Sequence, residues 1–207
     1  MDKIRKIKSI SLWIFIIPFI AINSCLILIT QFHELFPNQE DIIHFTIPYI
    51  DGGASISRTA RPYPSWLIFK PAMFLTSFLL IRYWLYNKEV IRYFNKDHKY
   101  LKKVIFFGVA SAIALTIHSI FLGIKFDNDL YKLFRRVVML SFIIFEIIAQ
   151  AYLVAILYSI KGKLVDHINP KILKAKVFLV SLLIVVAIIC VPIISWPGDK
   201  YKFLKHL

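Results

Sequence analysis

Between Pro48 and Arg61 the chain reads Pro-Tyr-Ile-Asp-Gly-Gly-Ala-Ser-Ile-Ser-Arg-Thr-Ala-Arg. Gly52 and Gly53 admit backbone conformations closed to other residues, so successive amides there could converge on an anion. Arg58 and Arg61 each carry a planar fork of donors that grips a phosphate through parallel hydrogen bonds. Ser55, Ser57 and Thr59 add hydroxyls, and Asp51 could orient an arginine or act as a base. Together these groups suit a lipid headgroup. They also admit a plainer reading, in which Asp51–Gly53 is a turn and the arginines pair with Glu40, Asp41 or Asp51 to pin the segment.

A second set of polar residues sits inside apolar stretches. Glu146 lies near the middle of one, where a carboxylate costs at least a few kcal/mol and must face other helices, pair, or be protonated. Gln150 follows four residues on and shares its helical face. His118, Asn23 and Ser24 are embedded in two further stretches, and Lys70 stands about one turn into another, next to Pro71. These groups could converge in one polar cavity beneath the Pro48–Arg61 segment, seating a headgroup or relaying a proton. The alternative is interhelical hydrogen bonding that fixes packing.

The elements that must position these residues are transmembrane helices. The 207 residues are 58% hydrophobic, and mean hydropathy is +0.68. A soluble domain of this length cannot hide so much apolar surface in one core. A span needs roughly 20 mostly apolar residues, and residues 10–31, 66–86, 104–124, 134–160 and 177–196 supply them. None alternates as barrel strands do. The expected fold is an all-α polytopic bundle of five spans forming a single domain over residues 1–207. The apolar core of the first span outlasts a signal-peptide h-region, and no small-x-small cleavage site follows, so it reads as a retained span.

Lysine and arginine counts orient the bundle. With the N-terminus cytoplasmic, 15 of the 26 flank the inner ends and 9 the outer ends. The net charge of +14 is thus a topology and anionic-lipid signal, not a nucleic-acid one. On this orientation residues 32–65 form one long non-cytoplasmic loop, punctuated by Pro37, Pro48, Pro62 and Pro64. The other connections are short, so a functional surface is expected at this loop. Cys25 and Cys190 lie in apolar runs and read as small packing residues. His33 and His44 have no partners at metal-ligand spacing, so no metal site is expected. No catalytic or cofactor-binding motif is present, which leaves open whether the chain is an enzyme.

Pro48-Tyr49-Ile50-Asp51-Gly52-Gly53 resembles a signature of the damage-regulated autophagy modulator and post-GPI-attachment lipid-remodelling family, Pro-Tyr/Phe-Ile-Ser-Asp-Gly/Thr-Gly, without the Ser before the Asp. That signature precedes the second span, as it does here. Phe145-Glu146, with Gln150 four residues on, resembles a late span of the family, whose members usually have six spans against five here. The resemblance implies work at lipid-handling membranes, such as glycolipid remodelling or scaffolding of lipid kinases, and leaves the catalytic mechanism unspecified. A composition rich in Phe, Ile and Lys points to an AT-rich bacterial genome and so to a bacterial cytoplasmic membrane. The favoured function is a lipid-interacting membrane protein that binds or helps remodel a headgroup at the non-cytoplasmic face. Its expected partners are membrane lipids, with membrane proteins as further candidates. The alternatives are a non-catalytic subunit of a larger membrane complex and a small proton- or ion-coupled transporter using Glu146 and His118.

Overall fold

Each of the five apolar stretches folds as a single helix, and most run past the apolar limits that define them. The computed structural model describes residues 2–38, 42–43, 56–124, 128–164 and 169–195. Helix α1 spans Asp2–Gln31, α2 Ile56–Thr59, α3 Ser65–Phe94, α4 Leu101–Phe121, α5 Asp129–Ser159, α6 Lys161–Leu164 and α7 Pro170–Ser195. Among the described residues there is no strand. Among the described residues, five helices are long and apolar enough to cross a membrane: Lys3–Gln31, Ser65–Phe94, Leu101–Phe121, Asp129–Ser159 and Pro170–Ile189.

The ends differ from the apolar limits for identifiable reasons. The basic residues ahead of Ile10 are good helix formers and extend α1 to Asp2. Helix α3 continues beyond Tyr86 because Asn87 and Ile91 are buried against the bundle. Asn128 caps α5 with its side-chain oxygen, which accepts from the Leu130 amide at 2.9 Å, so α5 begins ahead of its apolar run. Asn169 does the same for α7, accepting from the Lys171 amide at 2.9 Å, with Pro170 at the first helical position. Helix α4 ends earlier than hydropathy suggests. Gly123, at φ 90°, turns the chain just after the C-cap Leu122.

The helices pack in chain order, α1 on α3, α3 on α4, α4 on α5 and α5 on α7. In lipid, apolar burial between helices gains little, so close packing and interhelical hydrogen bonds must hold the bundle. Gly108, Ser111 and Ala112 give α4 a face of small buried residues. The fully buried Trp84 ring of α3 fills it so tightly that a Cβ on Gly108 would overlap the indole. Just after α2, Ala60 packs with Cys25, Phe69, Met73, Leu115 and Leu122. The Cys25 thiol donates to the Ser65 carbonyl at 3.4 Å. These contacts seat the stretch from α2 to Ser65 on the bundle. Helix α7 is different: only 6% of its apolar window is buried, so it offers most of its surface to lipid.

Candidate functional site

The intramembrane carboxylate is held by side chains from neighbouring helices. Ser111 of α4 donates its hydroxyl to Glu146 Oε2 at 2.7 Å, and Gln150 Nε2 donates to Oε1 at 2.8 Å from one turn along α5. Ser111 Oγ also lies 2.8 Å from the Gly108 carbonyl. One hydroxyl proton cannot serve both oxygens, so the arrangement fits either state of the carboxyl. An ionised Glu146 accepts from Ser111. A neutral one donates to Ser111, which then donates to Gly108. The buried Trp84 Nε1 lies beside the carboxylate outside good hydrogen-bond geometry. From α7, Lys176 places a positive charge within electrostatic reach, while its Nζ donates to Tyr83 Oη at 3.2 Å.

A second cluster sits at the C-terminal end of α4. Gly123 brings the turn after this helix against the Arg61 backbone; a Cβ there would lie 3.3 Å from the Arg61 carbonyl. From the start of α5, Tyr131 Oη donates to the Phe121 carbonyl at 2.9 Å, and the Arg135 guanidinium lies 5.9 Å from the Tyr131 ring centroid. Lys70 of α3 stands over Trp66 and donates to the Ile120 carbonyl at 3.3 Å. His118 is one turn back on α4, and both guanidinium charges act on its ring. His118 Nδ1 and Arg135 Nε are buried and have no hydrogen-bond partner among the described residues.

The electrostatics of this corner are lopsided. The proton affinity of Arg61 is lowered first by desolvation and then by the Arg135 charge, although the side chain is exposed overall. The two observations agree if neighbours crowd the guanidinium without covering it. Arginine nevertheless stays charged at neutral pH. The C-terminus of a helix carries the equivalent of about −0.5 charge, which alone would attract one cation. Lys70 and Tyr131 already occupy two of the terminal carbonyls of α4. The positive charge of Arg61, Arg135 and Lys70 therefore exceeds what the helix end requires.

The residues expected to act divide between these two clusters. Arg61, Lys70 and His118 meet at the α4 end. Glu146 and Gln150 meet three turns deeper. Along α5, Arg135 and Glu146 are about 16 Å apart by helical rise, and along α4 His118 and Ser111 are about 10 Å apart. Between them lie the buried Leu115 and Phe142, which packs against it. The described polar groups therefore lie in two clusters, where the sequence left open whether they share one cavity. Arg58 is exposed. Asn23 donates to the Phe19 carbonyl at 2.7 Å, within its own helix. Asp51, Gly52, Gly53 and Ser55, with the rest of the Pro48–Gly53 motif, lie outside the described residues, as does the side chain of Ser57. Sequence reasoning counted Arg135 and Lys176 only among the charges flanking the spans and gave Tyr131, Ser111 and Trp84 no site role. The seven-residue spacing of Ser111 and His118, which puts both on one face of α4, was the available signal.

Residues 7–202 match the family described as the Frag1/DRAM/Sfk1/Cwh43P N-terminal domain. The chain belongs to this family. The match covers four of the candidate spans whole and the first from residue 7 on, and bears out the kinship suggested by the Pro48–Gly53 motif and Glu146. No curated protein and no solved structure matches this Frag1/DRAM-family chain.

Proposed function

We propose that this Frag1/DRAM-family membrane protein binds the anionic headgroup of a membrane lipid at the α4 end of its bundle, with Arg61, Arg135 and His118 as the contacting groups and Lys70 adding charge. One observation carries the reading. Two arginines are drawn to one helix end beside a histidine, and His118 Nδ1 and Arg135 Nε have no partner among the described residues. An unpaired buried donor such as Arg135 Nε costs about 1–3 kcal/mol, and His118 Nδ1 is a second in the tautomer that carries its proton there, so a ligand that accepts from them recovers that energy. The lipid-handling roles implied by the Pro48–Gly53 resemblance support this choice. So does the lysine and arginine asymmetry, on which this end reads as the non-cytoplasmic one.

The experiment compares lipid retained by purified protein. Wild type and Arg58→Gln should carry anionic phospholipid through detergent exchange, and Arg61→Gln/Arg135→Gln should lose it. Equal lipid in all three would overturn the proposal.

A further inference from the structure

The make-up of this corner also bears on which headgroup it would take, an inference that rests on the lipid reading above. Arg61, Arg135 and Lys70 lie around the C-terminal end of α4, one turn from His118, whose Nδ1 is buried and without a partner among the described residues. A zwitterionic phosphodiester would bring an ammonium group into this cationic corner. Among the described residues no carboxylate is recorded acting on Arg61 or His118. The Arg135 guanidinium, 5.9 Å from the Tyr131 ring centroid, already places a cation at that ring and would repel a second one. A phosphate monoester fits better. It offers three terminal oxygens and up to two negative charges, enough to accept from both guanidinium groups and the imidazole at once.

The surroundings add a place for the chains of such a lipid. Leu130 and Leu133, on either side of Tyr131 along α5, are 73% and 56% exposed, and Ile120 on α4 is 46% exposed. Cationic donors and bare apolar side chains therefore stand within one turn of each other, as a headgroup joined to acyl chains requires.

We propose that the site selects a phosphate monoester on an apolar chain, a phosphatidate-type lipid, over phosphodiester headgroups. The test measures binding to the full-length protein in neutral detergent, by native mass spectrometry or ligand-induced thermal shift. The probes are dioleoyl phosphatidate, the matching phosphatidylglycerol and phosphatidylethanolamine, and inorganic phosphate. Phosphatidate should bind at least about tenfold more tightly than phosphatidylglycerol, a difference of roughly 1.4 kcal/mol. Phosphatidylethanolamine should bind most weakly of the three. Arg135→Gln and His118→Gln should abolish the preference, and Arg135→Lys should retain part of it if the glutamine variant fails to fold. Lys132→Gln, whose exposed lysine pairs with Asp129, should leave it unchanged.

Equal binding of phosphatidate and phosphatidylglycerol would overturn the monoester preference and leave the anionic-lipid reading standing. Binding of neither above phosphatidylethanolamine would remove both. Inorganic phosphate binding as tightly as phosphatidate would keep the phosphate chemistry and remove the lipid. A tenfold rise in phosphatidate affinity on Asp51→Asn or Asp127→Asn would show that an internal carboxylate is the natural partner of these arginines, and would overturn the proposal.

Discussion

Gly108→Ala adds one methyl group at the tightest contact between α3 and α4. On helix propensity alone the change should help, by about 1 kcal/mol. The new Cβ, however, would overlap the body of the Trp84 indole, and Trp84 is fully buried. A ring held on every side cannot swing away as the tip of a lysine could, so relief requires the two helices to separate. Overpacking of this kind costs about 1–3 kcal/mol, and the rigidity of the ring puts this site at the upper end. The net expectation is a loss of about 2 kcal/mol, or roughly 4–8 °C in the thermal midpoint of a chain this long. The readout is the loss of helical circular dichroism on heating in detergent. In a Trp84→Leu background, itself destabilised by the lost ring, Gly108→Ala should be neutral or mildly stabilising, because the clashing atoms are gone. A Gly108→Ala single variant that melts at or above wild type would refute the reasoning. So would strict additivity of the two changes, since contacting residues must couple.

Three further outcomes follow from the same structure. Glu146→Leu leaves the Gln150 donor without its acceptor and Lys176 without its nearby carboxylate, and should cost about 1–3 kcal/mol; Ser111→Ala should cost less, near the 0.6 kcal/mol typical of membrane hydrogen bonds, and a double-mutant cycle by thermal unfolding should be less than additive. Asn128→Ala removes the cap of α5 and should destabilise by about 1 kcal/mol, with Asn128→Asp retaining most of the stability; loss of anionic-lipid retention in the alanine variant alone would further tie the cap to the placement of Tyr131 and Arg135. Cys25 is fully buried, with its thiol directed at Ser65, so in a Cys190→Ala background maleimide should label the protein only after denaturation; rapid labelling of the folded protein would contradict this packing.

The helices were legible in the sequence because each span is a long apolar run. Their ends were less so. Asn128 and Asn169 cap ahead of the apolar residues, and the chain turns at Gly123 inside an apparently apolar stretch. Hydropathy measures apolar length, whereas a helix ends where its terminal amides and carbonyls find other partners. Glu146 and Gln150 were legible as a pair because both sit on one helix at a four-residue spacing. Their partners Ser111, Trp84 and Lys176 were not, because which face of α3, α4 or α7 turns toward α5 depends on tertiary packing. Arg135 was counted only as a flanking charge for the same reason.

Spacing within α4 and α5 nevertheless constrains where the two clusters fall. Ser111 and His118 are seven residues apart, and Glu146 and Arg135 are eleven, so each pair returns to within about 20° of the same helical face. The Ser111–Glu146 hydrogen bond therefore fixes the rotation of both helices at once, and aligning this pair turns His118 and Arg135 toward the same seam nearer its end. The deep cluster is in this sense a positioning device for the upper one. It also explains why a costly carboxylate can sit in the bundle without touching the proposed headgroup site. The two clusters should therefore couple: weakening the Ser111–Glu146 bond should disturb the alignment of His118 and Arg135, and by linkage Ser111→Ala and Arg135→Gln should be non-additive in a double-mutant cycle read by thermal unfolding.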